Sequence, residues 1–96
     1  MADIQHDFST GVATNATVGV TSTLALAANE ARKYCILIND SDEEIYLSLG
    51  STAVLNKGIR LNRKGGLIEI GGDKPFRGAI YAISATGSKN LSIYYA

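Results

Sequence analysis

The chain has 96 residues, nine basic and nine acidic, with one cysteine, one proline and no tryptophan. That length makes one domain, and the cancelled charge supplies no field to draw nucleic acid or an anionic membrane. Lone Cys35 excludes an internal disulfide, and no run approaches the roughly 20 apolar residues of a membrane-spanning helix.

A domain of this size buries only about 60–65% of the surface its unfolded chain exposes, so stability is marginal and self-association is one remedy. In chain order, Met1–Asp7 lacks the cationic and apolar regions of a secretory signal. Synthesis in a cytoplasm is therefore expected, and the three Asn-x-Ser/Thr triplets at Asn15, Asn39 and Asn90 are read as chance. Residues 1–31 are rich in Ala, Thr, Ser, Val and Gly and carry only Asp3, Asp7 and Glu30 as charges. The stretch is too apolar for a solvated linker and too small-chained to form a core alone. Two uses stay open: a first strand with a mobile tip, or an extended arm that docks on a neighbouring subunit. Thr14 to Leu26 carries alternating β-branched residues and reads as one long strand or two. Ala25–Ala31 is the only plausible helical turn, too short to stand without tertiary support.

From Arg32 onward, turn residues interrupt the chain every five to ten positions, which leaves no room for helices of ordinary length. Arg32–Ile38 is apolar on both parities after Tyr34, as a central strand requires, and places Cys35 as a buried thiol. Glu44–Leu49 alternates, with Ile45, Leu47 and Leu49 inward; the short turn Asp40–Glu43 predicts a hairpin between these two strands. Gly58–Leu61 follows with Ile59 and Leu61 on one face, and Leu67–Ile70 with Ile68 and Ile70 opposite Leu67 and Glu69. Ala79–Ser84 and Leu91–Tyr95 form a last pair across Thr86-Gly87-Ser88, and Pro75 stands in a loop beside Phe76. Seven or eight strands in this length fit two packed sheets. The expected fold is all-β: a compact, antiparallel, jelly-roll-like β-sandwich over 32–96 with an N-terminal arm and first strand over 1–31.

No constellation of reactive residues accompanies this pattern. Asp40, Asp42, Glu43 and Glu44 crowd one turn, but they lack the Asp-x-Asp-x-Asp-Gly spacing and distal glutamate of a calcium loop. They read as a solvated tip. Lys57, Arg60, Arg63 and Lys64 form a basic counterpart without an interleaved aromatic, so stacking on single-stranded nucleic acid is unsupported. One acidic and one basic patch on a module also suit electrostatic contacts between copies or with a shell. Gly65-Gly66 and Gly71-Gly72 lack the lysine and the strand–loop–helix setting of a phosphate loop. The sole histidine, His6, has no Cys or second His to complete a metal site, and although serines are plentiful its place in the amino-terminal tail argues against classical hydrolase chemistry. No enzyme activity, cofactor or metal is expected. The adjacent rings Tyr94-Tyr95 force one aromatic outward, as contact surfaces favour. Candidate contact residues are Ile4, Phe8, Val12, Val18, Tyr46, Arg60, Arg63 and Tyr94.

The run Ala31–Tyr34, then Ile38–Asp42, Ile45–Gly50, Ala53–Leu61, Gly66 and Gly78–Ile83 resembles small β-sandwich structural proteins of tailed bacteriophages. These are head decoration (cement) proteins and related tail or fibre modules. The similarity covers about two thirds of the chain and rests on turns and core positions, so it transfers no catalytic residue. It implies a virion location, self-association that is often three-fold, and docking on a capsid or tail lattice, with the major capsid protein or another virion protein as partner. A tail or fibre-base module is the alternative placement. A carbohydrate-binding or adhesive domain is a further one, with Tyr46 or Tyr81 exposed at a shallow site.

Overall fold

The computed structural model describes residues 11–73 and 75–96; Ile4 and Phe8 lie outside them. Eight strands follow one another: β1 (Val12–Val18), β2 (Thr23–Leu26), β3 (Cys35–Asn39), β4 (Ile45–Leu49), β5 (Ile59–Leu61), β6 (Leu67–Ile70), β7 (Ile80–Ser84) and β8 (Lys89–Tyr95). They build two four-stranded antiparallel sheets, ordered β1-β8-β3-β6 and β2-β7-β4-β5. Every link except β4–β5 therefore passes from one sheet to the other. That strand order is a jelly roll, the double-sheet arrangement of two Greek keys.

The core lies between the sheets and comes from one parity of each strand. Cys35 and Leu37 on β3, Leu91 and Ile93 on β8 and Val18 on β1 face Ile45 and Leu47 on β4, Ile80 and Ala82 on β7, Leu26 and Leu61. Burying one such aliphatic side chain contributes about 1.5–3 kcal/mol. Alternation placed these strands correctly because a pleated strand has only two faces.

The pairings are a different matter. The expected hairpin between Arg32–Ile38 and Glu44–Leu49 does not form, because β3 and β4 belong to opposite sheets. The same holds for the expected last pair, since β7 and β8 also lie in different sheets. Both short turns are arches over the end of the sandwich, and buried polar side chains hold them in that shape. Asn39 is fully buried, and its Nδ2 donates to the carbonyls of Glu43 at 2.7 Å and Leu61 at 2.9 Å. Its Oδ1 accepts from the Ser41 hydroxyl at 2.7 Å. In the β7–β8 arch, buried Ser84 donates from its backbone N–H to the Gly19 carbonyl at 3.0 Å and from its hydroxyl to the Thr86 carbonyl. A hairpin turn would leave these groups no reason to be buried.

Residues 11–31 supply two strands of the sandwich. β1 pairs with β8 along all seven residues and β2 pairs with β7, so each completes a sheet. The Thr14–Leu26 stretch is two strands, parted at Gly19–Ser22, where Gly19 N–H donates to Thr23 Oγ1 at 3.2 Å. Ala25 is an extra residue in β2, a β-bulge between the Leu24–Tyr81 and Leu26–Ile80 pairs. No helical turn follows it: Ala25 and Leu26 end β2, and Asn29 caps a tight turn through its side chain to the Ala31 N–H at 2.9 Å.

The opposite end of the sandwich is tied by a residue that the sequence pattern does not single out. Arg32 is 1% exposed, and its guanidinium donates to the carbonyls of Ala27 at 3.0 Å, Phe76 at 3.0 Å and Gly78 at 2.7 Å. Arg77 Nε returns a bond to the Arg32 carbonyl at 2.8 Å. The β2–β3 and β6–β7 connections are thereby clasped together. Gly58 is required where the β4–β5 link doubles back: its φ is +86°, and a Cβ there would sit 2.5 Å from the Leu47 carbonyl oxygen.

Candidate interaction surfaces

Because the two sheets pack face to face, each offers one outward face. On the first sheet, register places Ala13, Asn15 and Thr17 beside Tyr94, Ser92 and Asn90, then Ile36 and Ile38, then Leu67 and Glu69. Across this face Asn15 Nδ2 donates to Asn90 Oδ1 at 2.8 Å, and the Tyr34 hydroxyl donates to Glu69 Oε2 at 2.6 Å. That bond, then burial, then the carboxylate's charge push the Tyr34 phenol up to about 12. A cavity of about 280 Å³ opens among Ala13, Thr14, Ile36, Ile38, Ser92, Ile93 and Tyr94. At its rim the Tyr94 hydroxyl occupies the space that a side chain on Gly11 would need.

The second sheet turns Tyr46 and Ser48 of β4 outward with Arg60 of β5, Tyr81 of β7 and Leu24 of β2, while Ile83 of β7 shares their parity but is buried. Tyr46 and Arg60 are direct cross-strand partners, so a ring and a guanidinium share this face. Leu24 is half exposed there. The Ala53 N–H donates to Ser22 Oγ at 2.9 Å, which ties the β4–β5 link to the start of β2.

The candidate contact residues thus fall on separate surfaces. Tyr94 belongs to the outward face of the first sheet, and Val12, 40% exposed, stands at the start of edge strand β1. Tyr46 and Arg60 lie on the opposite side of the sandwich. Val18 is fully buried within the core and offers no contact surface, because its strand parity matches the inward residues of β8. Arg63 is engaged within the molecule: its Nε and Nη2 grip Glu44 at 2.7 and 3.0 Å. Ile4 and Phe8 fall outside the described residues.

The acidic and basic clusters also differ from two free patches. β5 separates Lys57 at one end from Arg63 and Lys64 at the other. Arg63 pairs with Glu44, and Lys89 with Asp42 at 2.8 Å, so much of the acidic turn is neutralised in place. Arg63 holds the Glu44 carboxyl below its ordinary range, and Lys89 does the same for Asp42. Among the described residues, no three His, Cys, Asp or Glu side chains gather as a metal site would require. Burial pushes the Cys35 thiol up, with Arg32 pulling the other way, so the thiolate that would make it a nucleophile is disfavoured. Sequence reasoning missed Arg32 and the Tyr34–Glu69 pair; the one available signal was an arginine at the head of an apolar run.

The chain matches no family model, no curated protein and no solved structure. No helix among the described residues is long and apolar enough to cross a membrane.

Proposed function

We propose that this protein is a non-enzymatic structural module of a virion, most plainly a capsid decoration (cement) protein that self-associates and clamps neighbouring major-capsid subunits. One observation carries the reading: a jelly roll clasped at both ends presents two broad outward faces with aromatic and apolar side chains. A lattice protein needs a rigid block and many weak contacts repeated by symmetry. Fold analogy points the same way without deciding it, since jelly rolls serve in viral capsids but also in lectins and cupins. Each 100 Å² of apolar surface buried against a shell would contribute about 2.5 kcal/mol before entropic losses.

The test is co-sedimentation with capsids assembled without the protein, comparing the full chain, a chain lacking residues 1–10, Tyr46→Ala and Tyr94→Ala. The truncation stops at residue 10 because residues 12–15 already pair with β8. Binding at hundreds of copies per particle, weakened by at least one variant that still folds, supports the head shell. A few to tens of copies place the module in the tail or fibre base. No binding to any particle rejects the reading. A carbohydrate-binding role has its own support in Tyr46, Tyr81 and Arg60 on one outward face; a glycan array that stays blank removes it.

A further inference from the structure

The two sheets have four edge strands, and β1 is unlike the other three. β2 is four residues long and broken by the bulge at Ala25; β5 has three residues with Arg60 at its centre; β6 has four, with Glu69 among them. Shortness, a bulge and a charged side chain each keep an edge from pairing again. β1 has none of them. It runs for seven residues, Val12–Val18, without charge, proline, glycine or register shift. β8 bonds one side of it, and among the described residues no strand lies on the other. Alternate residues of an antiparallel strand bond to each neighbour, so every second N–H and C=O of β1 aims away from the sheet.

Burial along β1 is uneven. Val18 is fully buried and Ala16 packs against the core, but Val12 and Thr14, which share their parity, are exposed, Val12 to 40%. The inward side of the strand is thus covered at one end and open at the other. A second β1 laid antiparallel reverses that order. Around a two-fold axis through Thr14 or Asn15, Val12 comes beside Ala16 or Val18 of the second copy, so open end meets covered end. A residue on the axis pairs with itself, so every pair joins like parity and the outward faces of both copies continue on one side. The side chains that meet are Val, Ala, Thr and Asn, so no like charges oppose one another when the strand meets itself. That self-match favours a second copy over a foreign strand.

We infer that β1 is a self-pairing edge: two copies join antiparallel along this strand, and their β1-β8-β3-β6 sheets become one continuous sheet. The outward face lined by Ala13 and its neighbour Tyr94 then runs across the axis into the second copy. This pairing rests on the self-association in the proposed function and gives it a site. Its test uses the protein alone, so capsid co-sedimentation can fail while the pairing stands.

The experiment compares the parent with Asn15→Lys and Asn15→Glu by sedimentation equilibrium at the highest soluble concentration. Asn15 is exposed and faces outward, so either charge gives up only the surface bond to Asn90 but is brought against its own copy across the axis. Each variant alone should sediment at half the mass of the parent. An equimolar mixture should restore the parent mass, since Lys then meets Glu. A parent at the single-chain mass of 10.1 kDa, or variants that keep the parent mass, would overturn the inference. So would a mixture that does not recover. Thr14→Cys and Asn15→Cys give a second reading without added charge. Directly paired residues have Cα atoms about 4.5–5.5 Å apart, within disulfide reach. The variant whose cysteine lies on the axis should form a covalent dimer under air oxidation, with buried Cys35 uninvolved. No covalent dimer from either variant would also overturn the pairing.

Discussion

Arg32 carries a positive charge at 1% exposure, and what it meets there are three backbone carbonyls. A planar guanidinium can serve three acceptors at once; an ammonium on a flexible stem cannot hold the same fork. Its Nε has no partner, so the site is not saturated, but the carbonyls it satisfies would otherwise be buried without donors. Arg32→Met keeps much of the packing and removes every donor. The expected cost is about 3 kcal/mol, since each abandoned buried acceptor is worth about 1–3 kcal/mol and part is regained by relaxation. For a domain of this size that lowers Tm by about 10–20 °C in a circular-dichroism melt. Arg32→Lys should recover only part of the loss, and a Met variant that melts with the parent would remove the clasp from the account. Tyr34 makes a second prediction at this scale. Its phenol pKa is raised, mainly by the bond to Glu69, so the protonated form is favoured in the folded state. The stabilisation is fully present below the ordinary tyrosine value and is lost as pH rises through about 12. Titrated by tyrosinate absorbance, Tyr34 should ionise near that upper value, and Glu69→Ala should bring it back towards the ordinary range. A titration curve that Glu69→Ala leaves unchanged would contradict the bond.

The arches decide the topology, and their control lies in a few buried polar atoms. Asn39 ends β3, yet its amide reaches Glu43 on the way to β4 and Leu61 at the end of β5. Two carbonyls face that one NH2 group, so an oxygen in its place would be repelled by both. Asn39→Asp should therefore unfold the protein at neutral pH, because the buried carboxylate has acceptors where it needs donors. The new carboxyl has a raised folded-state pKa, so stability returns as pH falls and it becomes protonated. Chemical denaturation of this variant at pH 7 and again at about pH 4.5 checks the sign; equal stability at both would show that Asn39 does not hold the arch. The same atoms explain what the sequence could and could not tell. Strand positions were legible because Ile45, Leu47, Leu91 and Ile93 alternate with outward residues, and alternation is a one-dimensional signal. Pairing was not legible, since a turn as short as Asp40–Glu43 suits a hairpin as well as an arch. The difference depends on Asn39 and Ser84 finding buried partners from distant strands, which no local pattern records.

At the scale of the whole molecule, which of the candidate contact residues face outward was legible only in part. Tyr94 and Tyr46 do face outward, yet their strands lie in different sheets, so one side chain serves each side of the sandwich. Val18 shows the limit of reading small β-branched residues as surface: the register with β8 turned it inward. The result is a thin block without disulfides, held by a core of medium-sized aliphatics. Such a core leaves little margin against chain entropy, and burying an outward face against another copy is the direct way to widen it. Self-association that stabilises the fold must make Tm depend on concentration, because only the folded chain joins the assembly. Melts over a wide dilution series should therefore show Tm falling as the protein is diluted, while sedimentation equilibrium reports an oligomer. A trimer, the state favoured by the resemblance, would have three times the 10.1 kDa of one chain. Tyr46→Asp and Tyr94→Asp then separate the two faces: the one that forms the contact should abolish the dilution effect, and the other should leave it intact. A chain that stays monomeric at every concentration, with an unchanging Tm, would leave both faces for a different partner and end the case for self-association.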